Sequence, residues 1–375
     1  MSSYRIPFVN LRLQYQHIQN EIDSTIDQIL EDGHFILGPK VSEFEEMLAD
    51  YCNCSFAVGV ASGTDALLLS MIAHGICSDD EVITSPFTFV STANTVTRLG
   101  AKPIFVDIEP TSYNIDVNQV EEKITQKTKA IIPVHLFGQP ANMDPIMRLA
   151  DEYGLIVIED ASQSIGASYR GHKVGSLGAS GTFSFFPTKN LGAYGDGGAI
   201  VTNIHEVAEK VALLRQQGAR KQYYHEILGF NSRLDALQAA ILKVKLKHLD
   251  MWNNKRRHIA STYNHLLQGL NLVLPREAAN VYHVYHQYTI QLPLKIPRQE
   301  FEGYLSKMGI ETRIYYPYCL HLQPVFEYLG YKQGEFPVCE QTCQRVISLP
   351  CCPELSKDEQ SYICETIIDF LSARQ

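Results

Sequence analysis

Short apolar stretches alternate with helical patterns between positions 64 and 159, and this alternation limits the possible fold more than any other sequence feature. Ala66, Leu67, Leu69 and Ala73 recur at helical spacing, and a strand-like run follows at 81–85. The alternation continues with predicted helices at 89–99, 117–124 and 143–153 and predicted strands at 103–108, 130–134 and 155–159. Strands joined through helices pair in parallel, in a sheet covered on both faces. The sequence therefore predicts a large α/β domain.

A continuous helical pattern begins near Ser232 and runs to about Leu270, with apolar residues on one stripe and many Lys and Arg opposite. We expect this helix to join a large domain of residues 1–250 to a small domain of residues 251–375. Strand-like patterns at 285–292 and 311–316, with helical patterns at 298–308 and 357–372, predict that the small domain is α+β.

The composition is that of a globular protein, with 45% hydrophobic and 19% charged residues in a chain of 375. A formal net charge of -9 argues against nucleic acid as a partner. Residues 1–14 carry Arg5 and Arg12 and have no apolar segment of the length that a signal peptide needs. No apolar run approaches a membrane span. We expect a cytoplasmic protein without a membrane partner.

The nine cysteines and 13 histidines show no metal-ligand spacing. The cysteine count is odd and there is no Cys-x-x-Cys pair, so neither a disulfide framework nor a zinc motif is indicated. Scattered thiols of this kind usually pack as small buried hydrophobic groups. We therefore predict no structural metal.

Three segments carry candidate chemistry. Ser62, Gly63, Thr64 and Asp65 precede a predicted helix, where free N–H groups and the helix dipole can bind a phosphate, although the same residues also make an ordinary N-cap. Asp160 follows a predicted strand at the edge where open α/β sheets bind ligands, and it could equally cap the next helix.

The third segment places Lys189 among small and apolar residues, directly before Asn190, Leu191 and Gly192. Loss of hydration would lower the pKa of this lysine toward a neutral, nucleophilic amine. The glycines that follow would let a ring lie close to the backbone.

Together, with 29 positions between Asp160 and Lys189, these segments resemble the fold type I pyridoxal phosphate (PLP) enzymes and, more narrowly, the DegT/DnrJ/EryC1/StrS family of nucleotide-sugar aminotransferases. The resemblance runs nearly the full length, from residues 38–45 through 86–92 and 229–240 to 316–324. It implies the PLP-dependent transferase fold, with a mainly parallel seven-stranded sheet flanked by helices.

The resemblance also implies roles for individual residues. Lys189 matches the lysine that holds PLP and carries a proton between substrate and cofactor. Asp160 matches the partner of the ring nitrogen, Gln163 the donor to the ring hydroxyl and Phe89 the aromatic stacked on the ring. The residues that match phosphate ligands are Gly63, Thr64 and Ser184.

Asn231 resembles the family residue that reaches the cofactor of a neighbouring subunit, which implies a homodimer with its active site at the interface. Asn231 would serve equally well as a cap for the long predicted helix. Arg233 is a candidate either for substrate contact or for an ion pair. Other candidate substrate contacts, which could instead be packing residues, are His34, Phe35, Tyr316 and His321.

The predicted reaction is transfer of an amino group from L-glutamate to a nucleotide-linked keto-deoxy sugar, with C3 of a dTDP- or UDP-linked hexose favoured. Such a reaction belongs to amino sugar biosynthesis, for a surface polysaccharide such as lipopolysaccharide O-antigen or for a glycoside. The alternatives are transfer at C4, a regulatory protein without turnover, and another PLP reaction such as desulfuration. The last would need a cysteine at the cofactor, and Cys319 and Cys351 are the residues to consider.

Overall fold

The computed structural model describes residues 5–374 of the chain. Its strands, in chain order, are β1 Phe56–Val60, β2 Glu81–Thr84, β3 Lys102–Phe105, β4 Thr128–Ile131, β5 Ile156–Asp160, β6 Ser168–Tyr169, β7 His172–Lys173, β8 Ser180–Ser184, β9 Gly198–Thr202, β10 Ala219–Lys221, β11 Tyr224–His225, β12 Val281–Tyr282, β13 Tyr288–Gln291 and β14 Val346–Leu349.

The α-helices are α1 Leu11–His17, α2 Gln19–Asp32, α3 Pro39–Cys52, α4 Gly63–Ala73, α5 Ser91–Arg98, α6 Met143–Tyr153, α7 His205–Leu214, α8 Ala236–Leu246, α9 Leu249–Leu266, α10 Arg298–Lys307, α11 Pro337–Arg345 and α12 Lys357–Ser372. Short 3-10 helices lie at Val117–Gln119, Glu121–Lys123, Leu136–Gly138, Leu320–Leu322 and Pro324–Leu329.

The central sheet has seven strands in the order β1-β9-β8-β5-β4-β2-β3. The pairs β8–β5, β5–β4, β4–β2 and β2–β3 are parallel, whereas β9 runs antiparallel to both β1 and β8. All five residues of β9 are buried, as expected for a strand covered on both faces. The predicted mainly parallel seven-stranded sheet is confirmed.

Helix α4 lies against the middle of this sheet and is apolar around most of its circumference. Ala66 and Leu69 pack with β1, β9 and α7, whereas Leu67 and Met71 pack with β2 and β5. The helix therefore holds its N-terminus, at Gly63, beside the carboxyl ends of the central strands.

A second hydrophobic core forms after residue 258. Tyr263 of α9 and Tyr288 of β13 pack at 4.7 Å between ring centroids, and Phe301 of α10 and Phe370 of α12 close the same core. Ile6, near the start of the chain, is buried there and pairs with Ile310. The predicted domain ranges 1–250 and 251–375 include five residues outside the described part, and the boundary near 250 stays a prediction.

Three predicted elements differ from the structure. Residues 117–124 form two 3-10 turns instead of a helix, because eight residues that include the β-branched Val117, Val120 and Ile124 propagate an α-helix poorly. The connecting helix begins at Ala236 rather than near 232 and is interrupted after Leu246. Its N-cap is Asp235, whose side chain accepts from the N–H of Gln238.

The predicted strand at 311–316 is also wrong. Only Arg313 makes a β-bridge in this segment, to Ser348. The segment instead carries side chains toward a cavity, so its apolar and aromatic residues reflect that position and not a sheet.

Within residues 5–374, no helix combines the length and the apolar character needed to cross a bilayer.

One largely buried ion pair joins three elements that support the sheet. The guanidinium of Arg215, directly after α7, pairs with Glu45 of α3 and donates to the carbonyl of Gly59 in β1 at 2.7 Å. The Glu45 carboxylate also accepts from the N–H of Gly59 at 2.7 Å. Removal of the cation would leave this carboxylate largely buried and without its charged partner.

We expect Arg215→Met to lower the free energy of unfolding by about 3 kcal/mol, because breaking a buried pair strands the remaining charge. Arg220→Met is the matched control, since Arg220 makes exposed pairs with Glu209 and Glu226 at 3.5 Å and its loss should change stability by less than about 0.5 kcal/mol. Urea denaturation of both variants measures the difference. Equal shifts in the two variants would contradict a structural role for the Arg215 pair.

Candidate active site

A cavity of about 500 Å³ opens at the carboxyl ends of β1, β2, β5 and β8. This volume lies within the range of small-molecule sites, and the position is the one where open α/β sheets bind ligands. The residues predicted to contact a cofactor from within the same chain all line it: Gly63, Thr64, Phe89, Asp160, Gln163, Ser184 and Lys189.

Asp160 is the last residue of β5 and is 5% exposed. Its carboxylate accepts from the hydroxyl of Thr92 at 2.8 Å and from the N–H of Ser162 at 3.2 Å. Both donors are neutral, and within residues 5–374 no Lys, Arg or His forms an ion pair with Asp160 within 4 Å. A buried carboxylate in these surroundings has room for a cationic partner in the cavity.

The neighbouring Glu159 fixes the end of the same strand. Its side chain is fully buried and accepts from His135 Nε2 and from the backbone N–H groups of Gly175, Leu177 and Gly178, each at 2.8 Å. Because successive residues of a strand point to opposite faces, this arrangement leaves Asp160 directed into the cavity.

Lys189 follows β8 in a turn closed by its own N–H and the carbonyl of Phe186. The side chain is half-buried at the cavity wall. Loss of hydration lowers the pKa of Lys189 to about 8, and the negative charge of Asp160 acts in the opposite direction. At pH 7 about a tenth of such an amine is neutral, compared with about one part in 2500 at an ordinary lysine pKa of ~10.4.

The start of α4 forms a cradle for an anion. Ser62 is the N-cap and accepts from the N–H of Asp65 at 3.1 Å, whereas the N–H groups of Gly63 and Thr64 have no partner within the described chain. A Cβ added at Gly63 would lie 2.6 Å from the Cβ of Ser184, so these two residues are in close approach at one end of the cavity. Free amides at a helix N-terminus, with a hydroxyl beside them, suit a phosphate group.

Gln163 connects two walls of the cavity. Its carbonyl accepts from the N–H of Phe137 at 2.8 Å, and its amide donates to the hydroxyl of Tyr316 at 2.9 Å. Burial raises the pKa of Tyr316, so this hydroxyl stays protonated. Phe89 is 57% exposed and faces the same space, with its ring centroid 6.4 Å from that of Tyr316.

His286 also lines the cavity, although no sequence pattern predicts it. Its Nδ1 lies 3.0 Å from Oδ1 of Asn190, the residue after Lys189. Loss of hydration and the nearby charge of Lys189 hold the pKa of His286 well below its usual range, so the ring is neutral. No local motif surrounds His286, and only the fold brings it to this position.

Other predicted contacts lie outside the cavity. Asn231, Arg233, His34 and Phe35 are exposed on the chain, and Asn231 caps no helix because Asp235 does so. His321 is buried, with Nε2 3.2 Å from the Glu340 carboxylate, and does not line this cavity. Tyr316 is the member of that predicted substrate group that the fold places at the site.

The family model of the DegT/DnrJ/EryC1/StrS aminotransferases matches residues 16–368. The chain belongs to this family. It is 49% identical to the "Pleiotropic regulatory protein" of Geobacillus stearothermophilus, over 97% of this chain and 98% of that one. It is 45% identical to the UDP-N-acetyl-3-dehydro-alpha-D-glucosamine 3-aminotransferase of Acidithiobacillus ferrooxidans, over 96% and 97% of the two chains.

Among solved structures, the DesV protein of S. venezuelae superposes with a TM-score of 0.95 at 39% identity, covering 98% of this chain and 99% of that one. The aminotransferases of this family are PLP-dependent enzymes that act on sugars. The cavity fits that cofactor: among residues 5–374 it combines unpartnered N–H groups, which suit a phosphate, a buried carboxylate without an ion-pair partner, which suits a protonated ring nitrogen, and a lysine of lowered pKa.

We expect acylation of Lys189 in the cofactor-free protein to rise with pH through about 8, because only the neutral amine reacts. Asp160→Asn removes the negative charge that stabilises the ammonium form, so the same rise should move to lower pH. Mass spectrometry of the Lys189 peptide after brief labelling gives the rate, with the exposed Lys102 as the internal reference. A profile for Lys189 that coincides with that of Lys102 would contradict the desolvated site.

Proposed function

We propose that this aminotransferase moves an amino group from L-glutamate to C3 of a nucleotide-linked keto sugar. The geometry that carries the proposal is the cavity in which Lys189, Asp160 and the amides of α4 face one another. The choice of C3 is supported by the name of the A. ferrooxidans relative, a 3-aminotransferase that is 45% identical to this chain. We place the reaction in cytoplasmic synthesis of an amino sugar for a surface polysaccharide or a glycoside.

When bound, PLP supplies a carbonyl that takes up an amino group and a ring that accepts the electron pair released as a proton leaves the neighbouring carbon. Lys189 Nζ would hold the cofactor and afterwards take and return the proton at the reacting carbon. The Asp160 carboxylate would hold a proton at the ring nitrogen. Its hydrogen bonds from Thr92 and Ser162 fix its orientation for that task.

The remaining cavity residues position the cofactor. The N–H groups of Gly63 and Thr64, with the Ser184 hydroxyl, would bind its phosphate. Phe89 would cover one face of the ring, and the Gln163 amide would donate to the ring hydroxyl. Since Gln163 already donates to Tyr316, the cofactor and the segment carrying Tyr316 would share one amide group.

We further propose a homodimer in which Asn231 reaches the partner's cofactor. Asn231 lies on a surface with exposed apolar residues, of which Leu228 is 96% and Phe35 47% exposed. The carbonyl of Phe35 accepts from the N–H of Ala236, which joins residues 33–38 to the segment that carries Asn231. An apolar surface of this kind is typical of a contact between subunits.

A regulatory role without turnover is the competing reading, because one relative at 49% identity bears the name of a regulatory protein. The intact constellation of Lys189, Asp160 and the free amides favours turnover, since regulation alone would not require a lysine of lowered pKa.

The product test uses the PLP-loaded enzyme with a panel of 3-keto and 4-keto nucleotide sugars and several amino donors. We expect glutamate to be consumed and NMR to locate the new C–N bond at C3. Lys189→Ala should lower kcat by at least about a thousandfold and abolish the borohydride-sensitive absorbance of the bound cofactor, because no other side chain replaces the amine. An amine at C4 would overturn the C3 assignment, and full activity of Lys189→Ala would overturn the assignment of the site.

Mixed dimers test the shared site. Asn231→Ala alone should weaken PLP binding about tenfold by removing one phosphate contact, a loss of roughly 1.4 kcal/mol. In a hybrid with one Lys189→Ala and one Asn231→Ala subunit, one of the two sites has both residues intact. We therefore expect the hybrid to show wild-type PLP affinity at half the activity. If Asn231 served its own subunit, the hybrid would keep the weakened affinity of Asn231→Ala.

A further inference from the structure

Three buried thiols meet outside the active-site cavity. Cys319 precedes the 3-10 helix Leu320–Leu322, and Cys339 and Cys343 lie one turn apart on α11. The three sulfur atoms all lie within 4.8 Å of one another, and those of Cys319 and Cys343 are 3.1 Å apart. Each residue is at most 3% exposed. In a tetrahedral site with Zn–S bonds of about 2.3 Å, neighbouring sulfurs lie about 3.8 Å apart, which is the scale of this cluster.

His321 is close to Cys319 in the sequence and has a ring nitrogen without a hydrogen-bond partner among the described residues. His321, two residues after Cys319, has its Nε2 atom 3.2 Å from the Glu340 carboxylate and its ring 4.6 Å from that of Phe336. Its Nδ1 atom is buried and has no hydrogen-bond partner among the described residues. A carboxylate on one ring nitrogen and a free electron pair on the other is the arrangement found in metal-binding histidines.

We propose that Cys319, Cys339 and Cys343 bind one thiophilic metal cation of the zinc class, with His321 Nδ1 as the fourth ligand. His321 does not belong to the group of atoms within 4.8 Å, so its ring would complete the site by a side-chain movement. Three thiolates with one imidazole are a closed ligand set of the kind that structural zinc sites use.

Simple packing and a disulfide both explain the cluster less well. Thiols that pack only as apolar groups do not need to converge in threes beside an unpartnered imidazole nitrogen. A disulfide between Cys319 and Cys343 would leave Cys339 and His321 Nδ1 without a role. A cation uses all four groups and releases the thiol protons to solvent as it binds.

The site would join the cavity wall to α11. Cys319 follows the segment that carries Tyr316, and the N–H of Leu320 donates to the carbonyl of Pro86. At the other side, the N–H groups of Val338 and Cys339 donate to the Asp107 carboxylate. A bound cation would therefore cross-link two elements that already contact the large sheet domain, independently of the reaction proposed above.

Zinc content of the full-length, PLP-loaded enzyme tests the site. We use a Cys77→Ser background because Cys77 is the exposed thiol. After equilibration with Zn²⁺ and dialysis, elemental analysis should give about one zinc per subunit, and the thermal midpoint should rise on zinc addition. Cys339→Ser should hold at least tenfold less zinc and show no rise, whereas Cys364→Ser, which removes a buried thiol of α12, should behave like its parent.

A second measurement does not depend on how a variant folds. In the parent protein, Zn²⁺ should protect Cys319, Cys339 and Cys343 from alkylation during mild denaturation while leaving Cys52 and Cys364 unprotected. His321→Ala should weaken zinc binding and not abolish it. Three outcomes would overturn the proposal. The parent could hold no more zinc than Cys339→Ser, or all cysteines could be protected equally. The third is a Cys319–Cys343 disulfide in freshly purified protein.

Discussion

The end of strand β5 carries two adjacent carboxylates that face opposite sides, and the arrangement of the site depends on how the first is held. Glu159 accepts four hydrogen bonds at 2.8 Å, from His135 and from three backbone amides. These bonds fix the position and orientation of the last residues of β5. Asp160 consequently meets the cavity with its carboxylate already oriented, and two neutral donors hold it there without neutralising it. Such preorganisation is what an electrostatic role in catalysis requires.

Asp160 and Lys189 are 29 positions apart in the sequence, and the pairing of strands in the sheet is what brings them together. Strand β8 pairs in parallel with β5, and Asp160 lies opposite Thr182. The turn after β8 then brings Lys189 to the same edge. The lysine pKa of about 8 results from two opposed effects of that placement, since burial disfavours the ammonium form and the Asp160 charge favours it.

Much of this site could be predicted from the sequence because its signals are local. Each signal reflects a short-range requirement: a Gly-Thr pair at a helix start, an Asp after an apolar strand, and a Lys before glycines. The resemblance to the family then indicates that the three segments form one site. The global sheet followed from the same alternation of apolar patterns. The helix predicted at 117–124 is wrong because its short, β-branched sequence favours an α-helix only weakly, and the start of α8 moved because the effective cap is Asp235.

Contacts between distant segments could not be predicted. His286 reaches the cavity by pairing with Asn190, and Cys319 is separated from the two thiols of α11 by two 3-10 helices. The spacing rules for metal sites describe ligands close in sequence, so they gave no sign of this cluster. His321 is a candidate substrate contact by sequence, and folding packs its ring against Phe336, a contact between residues 15 positions apart.

The hydroxyl of Ser232 donates to the Asp65 carboxylate at 2.6 Å, so the segment next to Asn231 is attached to the first turn of α4. In the proposed dimer, Ser232 belongs to the surface that contacts the other subunit, and Asp65 belongs to the phosphate cradle at the start of α4. Any ligand that orders the cradle then also orders the contact surface, and by reciprocity association of subunits tightens the ligand. Cofactor loading and assembly would be thermodynamically linked through this bond as well as through Asn231, and dilution of the protein would by itself promote release of the cofactor.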